Sequence, residues 1–519
     1  MRVLLSLTLL VAASVVDQQT PTAPAAPPFR VEETTIAQIH DAMKDGRLTC
    51  RALVVSYLRR IEAYDKNGPA LNAIVQVNTD ALKQADELDR RFAQAGLSGP
   101  LHCIPAIVKD NFETIGLQSA AGSLSLKGFV SNKDAFLVKR IKDAGAIVLA
   151  KSNMAEFAFS PYETVNSLLP GYTRNPYALD RVTAGSSGGT AAAVAANFGA
   201  IGLGSDTGNS IRGPSSHQAL AGIRSTMGLT SRSGVVPLSL LADIAGPMTR
   251  TLTDAVTVFQ VIAGADPDDP ATAAIQERPI PNYAQSLQRD GLRGARIGIL
   301  RQAYERDTTD PEIVDVFMAA VEDLKRAGAT IVDPARVELG DVRRSQGSAS
   351  CGGFKYDINR YLAAHGDRVP VHSLEEIIQS RRFHPSIQAR LQSSQDGTEN
   401  GPETPACKAE AEYRDQFRAA VARTMDGQTL DAFVYPTWSN PPRLIGDLNS
   451  PHGDNSQVFS PTTGWPAINV PMGYTRGTLP IGMTFFGRAW AEPTLIKLAY
   501  AYEQATRHRH PPPSTPPLR

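Results

Sequence analysis

The stretch TAGSSGGTAAAVAANFGAIGLGSDTGNSIRGPS, residues 183–215, carries two serine-bearing, glycine-rich clusters, GSSGG at 185–189 and SDTGNS at 205–210. Between them the alanine-rich run 190–197 predicts a helix and AIGLGS at 200–205 a buried strand. A chain that leaves along a helix and comes back along a strand returns Ser210 to the neighbourhood of Ser186. The pattern recurs: LVKRIKDAGAIVLA (137–150) and AVEDLKRAGATIVD (320–333) each read helix, glycine, strand. Further short apolar runs stand at IPAIV (104–108), RIGIL (296–300), DAFVY (431–435) and GMTFF (482–486). Strands alternating with helices predict an α/β fold, a single large domain with a central mixed, mostly parallel β-sheet covered by helices on both faces.

No long linker or low-complexity tract divides that body. It opens with an amphipathic helical pair: Thr35 and Gln38 form a capping box, Ile36, Ile39 and Met43 share a face, Gly46 ends the first helix, and a second follows Thr49. Residues 435–473, rich in proline and glycine, read as loops around a site. Residues 1–16, MRVLLSLTLLVAASVV, pair one basic residue with an apolar core and the small residues Ala12, Ala13 and Ser14. That is too short to span a bilayer and reads as a signal peptide, so the expected location is exported, periplasmic or secreted. Residues 17–30 read as a proline-rich linker, 31–511 as the folded domain, and 512–519 as a loose proline-rich tail.

Hydrophobic residues make up 42% of the chain, and 52 Lys and Arg balance 52 Asp and Glu. A neutral chain is ill suited to coating nucleic acid or holding a membrane surface, which leaves a small molecule or peptide as the expected partner. The nine histidines show no H-x-x-H spacing, so neither a metal nor another cofactor is expected. His508 and His510 read as solvated. Cys50, Cys103, Cys351 and Cys407 allow three pairings in an oxidising compartment, yet none lies in a C-x-x-C, and at least two read as buried free thiols. Cys103 reads as a small buried residue rather than a nucleophile.

The serines admit several readings. Glycine and serine in loops are first of all turn formers. Gly185, Ser187 and Gly189 also satisfy G-x-S-x-G, the elbow of an esterase, with Asp431 and His452 as nominees for its partners, but NPYALDRVTA ahead of it contains no buried strand. The third reading uses both clusters: serines that meet can relay a proton if a base stands at the end of the line. A lysine serves as that base only where burial lowers its pKa from roughly 10.4 toward neutrality. Lys109 follows IPAIV and Lys151 follows GAIVLA, and spacing does not choose between them.

GSSGGTAAAVAA, GLGSDTGNSIRGPS, IPAIVKDN and AKSNMAEFAFS together resemble the amidase signature family across nearly all of residues 32–511. YPTWSNPP, TTGWPAINVPMGY and GRAWAEPTLIKLAYAYEQAT resemble its bacterial peptide-amidase-like branch. The resemblance implies Lys109 as base, Ser186 as bridging serine after a cis peptide bond, Ser210 as nucleophile of an acyl-enzyme, and Lys151 as a structural lysine. It implies an oxyanion hole from the backbone N–H groups of Thr207, Gly208, Asn209 and Ser210. Asn111, Asp206 and Arg212 are expected to brace the site loops, and Phe159, Trp438 and Trp465 to border the substrate. The chain departs from the family at Asn209, where glycine is usual and where asparagine is the best substitute for a positive φ. Ala184 and Cys103 also stand where glycine is common, and IRSTMGL replaces a lysine-proline-threonine run. The export signal and neutral charge disfavour the branch that transfers ammonia onto aminoacyl-tRNA, and the expected assembly is a monomer or homodimer. A non-catalytic binding protein of the same fold is the remaining alternative.

Overall fold

The apolar runs of the sequence assemble side by side. The computed structural model describes residues 29–340, 342, 351, 353–397, 401 and 403–518, so the expected signal peptide and nearly all of the expected linker lie outside it. In chain order the strands are β1 (Ile74–Val77), β2 (Pro105–Lys109), β3 (Ile147–Ser152), β4 (Arg174–Asn175), β5 (Ala178–Val182), β6 (Ile201–Asp206), β7 (Ala221–Arg224), β8 (Ile244–Thr249), β9 (Arg296–Ile299), β10 (Thr330–Val332), β11 (Ala432–Pro436), β12 (Ala467–Thr475) and β13 (Leu479–Phe486). All but β4 and β5 join one 11-stranded sheet in the order β1-β3-β2-β6-β8-β7-β12-β13-β11-β9-β10, flanked by helices. The α/β class and the mixed sheet are as expected.

The balance of strand directions is not. Only β2–β3, β2–β6, β9–β10 and β9–β11 pair in parallel, and the other six neighbours are antiparallel. The antiparallel middle comes from β7, β8 and β12, whose sequences AGIR, IAGPMT and AINVPMGYT are broken by glycine and proline and so show no apolar run. The pairing of β12 with β13 shifts register between Pro471 and Gly473, a bulge that accommodates the missing proline N–H. Residues 467–473 are therefore strand, not loop.

The stretch 183–215 folds as a helix, Gly188–Ala195, feeding β6. Every residue of that helix is buried, because alanine lets it lie close on β2 and β6. Gly202 completes the fit: a Cβ there would stand 2.7 Å from Thr190 Cγ2 and 2.9 Å from Val194 Cγ2. At the start of the domain Thr35 and Gln38 make the capping box, and Thr49 Oγ1 accepts from Ala52 N at 3.1 Å to start the helix Cys50–Ile61.

The cysteines correct the sequence reading. Cys50 bonds Cys103 and Cys351 bonds Cys407, leaving no free thiol. The partners are 53 and 56 residues apart, a tertiary proximity that spacing does not reveal. Each link closes a long loop, so replacing either pair by serine should cost about 2–4 kcal/mol, read as a lower midpoint of chemical unfolding. An unchanged midpoint would mean that the loops are already closed by packing.

The tail is also not loose. Arg509 pairs with Glu33 through Nε at 2.7 Å and Nη2 at 2.8 Å. Ser514 Oγ donates to Pro176 O at 2.7 Å, and Arg60 donates to Thr515 O at 2.8 Å and Pro516 O at 3.1 Å. A proline-rich segment makes no internal ladder, so its carbonyls are available to a buried arginine. His510 is exposed, whereas His508 is half-buried with Nε2 3.6 Å from the Asp323 carboxylate.

Candidate active site

Lys109 is the last residue of β2 and is fully buried. Its Nζ donates to Ser186 Oγ at 2.7 Å and to Ser205 Oγ at 2.8 Å, and Asn111 Nδ2 donates to the same Ser205 hydroxyl at 3.0 Å. Burial pushes the Lys109 amine down to about 7, against the opposing pull of Asp243 and Asp206. Near neutral pH a large share of it is free amine, a proton acceptor already on a serine.

Strand register separates the two lysines that spacing could not. Lys109 pairs with Ser152 and Val108 with Lys151, so on parallel neighbours Lys151 projects from the opposite face. There Lys151 Nζ donates to Phe112 O and Ser119 Oγ, and burial lowers its pKa against the pull of Asp110.

The Gly185–Ser186 peptide bond is cis, as the family resemblance implies. Ala184 and Cys103 both adopt left-handed backbone, with φ of 59° and 62°, which is why glycine suits these positions. Ser187 N donates to Ser210 O at 3.3 Å and ties the two serine clusters together. The Ser187 hydroxyl is spent on Ser205 O at 3.2 Å. Residues ahead of GSSGG do form β5, but in a half-exposed two-stranded ribbon apart from the main sheet. His452 stacks on Tyr162 and Asp431 accepts from Arg296 N, so the esterase nominees do not come together.

Asp206 organises the loop that follows β6. Its carboxylate accepts from Ile211 N at 3.1 Å, Arg212 Nε at 3.1 Å and Arg224 Nη1 at 2.9 Å. Burial raises its pKa, but Arg212 and Arg224 more than reverse this and hold it at about 2. Arg212 reaches on to Gly208 O at 2.5 Å and Ser456 O at 3.3 Å. Thr207 Oγ1 donates to Asp243, whose carboxylate also accepts from Leu238 N and Ser239 N. Among the described residues, no group takes the backbone N–H of Thr207, Gly208, Asn209 or Ser210. Asn209 is not at positive φ, and neither is Gly208, so the expected need for a left-handed residue does not arise.

Asp206→Asn should cost about 3–5 kcal/mol by leaving buried guanidinium charge without its counter-ion, measured by chemical unfolding at neutral pH. Because the folded pKa of Asp206 is depressed, its contribution is present above about 4 and is lost as pH falls toward 2. A variant as stable as the parent would remove Asp206 from the loop's support.

Beside Ser210 opens a cleft of about 270 Å³, walled by Thr207, Gly208, Asn209, Phe159, Pro161, Arg390, Tyr413 and Gln457 among others. Of the three aromatic residues expected to border it, Phe159 does. Trp465 packs in the core against Phe486, and Trp438 is buried against His217, neither in the cleft wall. Sequence reasoning missed Ser205, Asp243 and Arg224. The departure at IRSTMGL is the signal that points at Arg224, since an arginine in an otherwise apolar strand needs a partner. Among the described residues no cluster of three or more His, Cys, Asp or Glu is arranged for a metal, and no helix is long and apolar enough to cross a membrane.

Comparison with known proteins gives the family of the chain. The Amidase family model matches residues 52–496. A probable amidase of Arabidopsis thaliana is 34% identical over 93% of this chain and 92% of its own. A glutamyl-tRNA(Gln) amidotransferase subunit from Moorella thermoacetica is 32% identical over 92% and 98%. The native peptide amidase of Stenotrophomonas maltophilia superimposes with a TM-score of 0.82 at 37% identity, covering 93% of this chain and 98% of that one. With the family model matched over residues 52–496 and a peptide amidase among the structural neighbours, the chain belongs to the amidase signature family, on its bacterial peptide-amidase-like branch, and is a hydrolase of amide C–N bonds.

Proposed function

We propose that the protein is an exported amidase that hydrolyses a carboxamide, a C-terminal peptide amide or an aryl or other small amide, through a Ser210 acyl-enzyme served by Ser186 and Lys109. The observation that carries the reading is the 2.7 Å hydrogen bond between Ser186 Oγ and a buried Lys109 brought down to about 7. Neutral Lys109 accepts the Ser186 proton as Ser186 accepts that of Ser210, and the Ser210 oxygen attacks the amide carbon. The C–N bond breaks as the relay returns a proton to the leaving nitrogen. Water then attacks the ester, giving up its proton to the same relay, and releases the acid. The unpartnered N–H groups of residues 207–210 suit an oxyanion in both tetrahedral intermediates. Every step is a proton or acyl transfer and asks for no cofactor.

Export is supported by two disulfides, which persist in oxidising compartments, and by the N-terminal apolar stretch. A peptide amide substrate is supported by the 37% identity to the Stenotrophomonas enzyme. The test is mass spectrometry of the protein after reaction with a fluorophosphonate, alongside turnover of peptide amides and anilides. An adduct on Ser210 is expected. An adduct on Ser187 would favour an esterase, and no adduct together with no turnover would favour a binding protein.

A further inference from the structure

The turn that leads into β8 meets the loop after β6 at a single carboxylate. Asp243 stands directly before β8, whose first residue, Ile244, pairs with Asp206 at the end of β6, and β6 lies beside the strand β2 that ends in Lys109. Asp243 is 6% exposed. Its Oδ1 accepts from Thr207 Oγ1 at 2.5 Å, and its Oδ2 accepts from Leu238 N and Ser239 N, both at 2.9 Å. Leu238 and Ser239 wall the cleft beside Ser210, as Thr207 does, so one carboxylate ties two parts of that wall together. The turn is braced from behind as well: Leu240 N donates to Asp357 Oδ2 at 2.9 Å, from the helix Gly353–His365, and Arg224 Nη2 donates to Ala242 O at 2.9 Å.

All three of these donors to Asp243 are neutral, which leaves its negative charge to act on the ionisable groups around it. Burial raises the Asp243 carboxyl, and the donors from Thr207, Leu238 and Ser239, with the charge of Arg232, oppose that rise. Arg232 is itself paired with Asp269 at 2.5 Å, and Arg224 with Asp206 at 2.9 Å. Asp357 feels Asp243 as a like charge. Of the two carboxylates that oppose the effect of burial on Lys109, Asp243 pulls the harder, and Asp206 is already answered by Arg212 and Arg224. We propose that Asp243 is a positioning residue for the hydrolysis: it holds the loop that presents the N–H groups of residues 207–210 against the cleft wall, and it sets a negative charge toward the base Lys109. The proposal rests on the amidase reading for the reaction and on Asp243 for the placement.

The experiment measures kcat and KM on one peptide amide, N-acetyl-phenylalanine amide, from about pH 5 to 10. In Asp243→Asn one side-chain atom becomes a donor, which must face either Thr207 or two N–H groups. On the alkaline plateau kcat should fall by about tenfold or more while KM stays within about twofold, because the support lost is that of the oxyanion. With the negative charge gone, burial acts on Lys109 less opposed, so the acid limb of kcat/KM should lie about one pH unit below that of the parent. Thr207→Val keeps the charge and should lose rate with the limb in place, and Thr207→Ser should retain more of the rate than Thr207→Val. A plateau that holds in Asp243→Asn, a loss confined to KM, or a limb that does not move would overturn the proposal. Asp243→Glu covers a failure of Asp243→Asn to fold: its charge persists on a longer side chain, so kcat should fall with the limb unmoved, and an undiminished kcat would overturn the proposal. A further readout needs no turnover. In an NMR titration of isotope-labelled lysine side chains, the Lys109 signal is the one that Lys109→Met lacks, and its midpoint should drop by the same amount in Asp243→Asn and not in Thr207→Val. A midpoint indifferent to Asp243 overturns the proposal whatever the rates. No turnover by the parent, with a midpoint that still follows Asp243, would sink the amidase reading and leave the charge coupling standing.

Discussion

Ser210→Ala is expected to abolish amide hydrolysis, lowering kcat by about 10⁴- to 10⁶-fold, the scale on which removing a nucleophile removes the covalent route. The change deletes one oxygen. The link from Ser210 to the other serine cluster runs through its backbone carbonyl, which accepts from Ser187 N, so the variant should keep its fold and its melting temperature. Ser186→Ala should differ in kind, leaving a small residual rate because water can stand in for the bridging hydroxyl. Ser187→Ala serves as the control, since the Ser187 hydroxyl is engaged with Ser205 O. If Ser210→Ala retained more than about one per cent of activity under conditions where Ser187→Ala lost it, the elbow serine would be the nucleophile instead. Steady-state rates on one peptide amide and on one anilide, with calorimetric melting of each variant, decide between these outcomes.

Lys109→Met carries the second large effect and moves two quantities in opposite directions. Turnover should fall by about 10²- to 10⁴-fold, the usual contribution of a positioned base. Stability should hold or rise, because the parent buries an amine whose charge its surroundings disfavour. The sign follows from linkage. The folded pKa of Lys109 is about 7 and its unfolded value 10.5, so between these limits unfolding takes up a proton and the parent loses stability as pH falls. Below about 7 that loss is complete, so the advantage of Lys109→Met should be greatest there and vanish above about 10.5. The same ionisation predicts that kcat/KM of the parent rises with pH through about 7. A profile flat from pH 6 to 9, or a variant that keeps its activity, would remove Lys109 from the relay.

Much of this arrangement is legible in the chain because the signature residues lie within short, ordered segments. The helix and strand between 183 and 215 follow from alanine content and an apolar run, and the capping box at Thr35 from four consecutive residues. The directions of the central strands are not legible, since Pro247 in β8 and Pro471 in β12 interrupt the apolar pattern in the middle of the sheet. The choice between Lys109 and Lys151 needed the pairing of β2 with β3, a register no single segment encodes. Ser205 and Asp243 escaped notice for the same reason. Their importance lies in whom they touch, across 96 residues from Lys109 to Ser205 and 36 from Thr207 to Asp243. The cysteines were misread because each pair is separated by more than fifty positions.

The docked C-terminal segment sets an order of events during synthesis. Arg60 lies in one of the first helices made, yet two of its acceptors are Thr515 O and Pro516 O, the latter 456 residues further on. At about 5–20 residues per second a ribosome needs on the order of a minute to supply them. Throughout that interval the guanidinium lacks part of its native shell, and the helix Cys50–Ile61 stays short of its final burial. Residues 509–516 thus latch the helix Cys50–Ile61, and that contact forms only after residue 516 has been made.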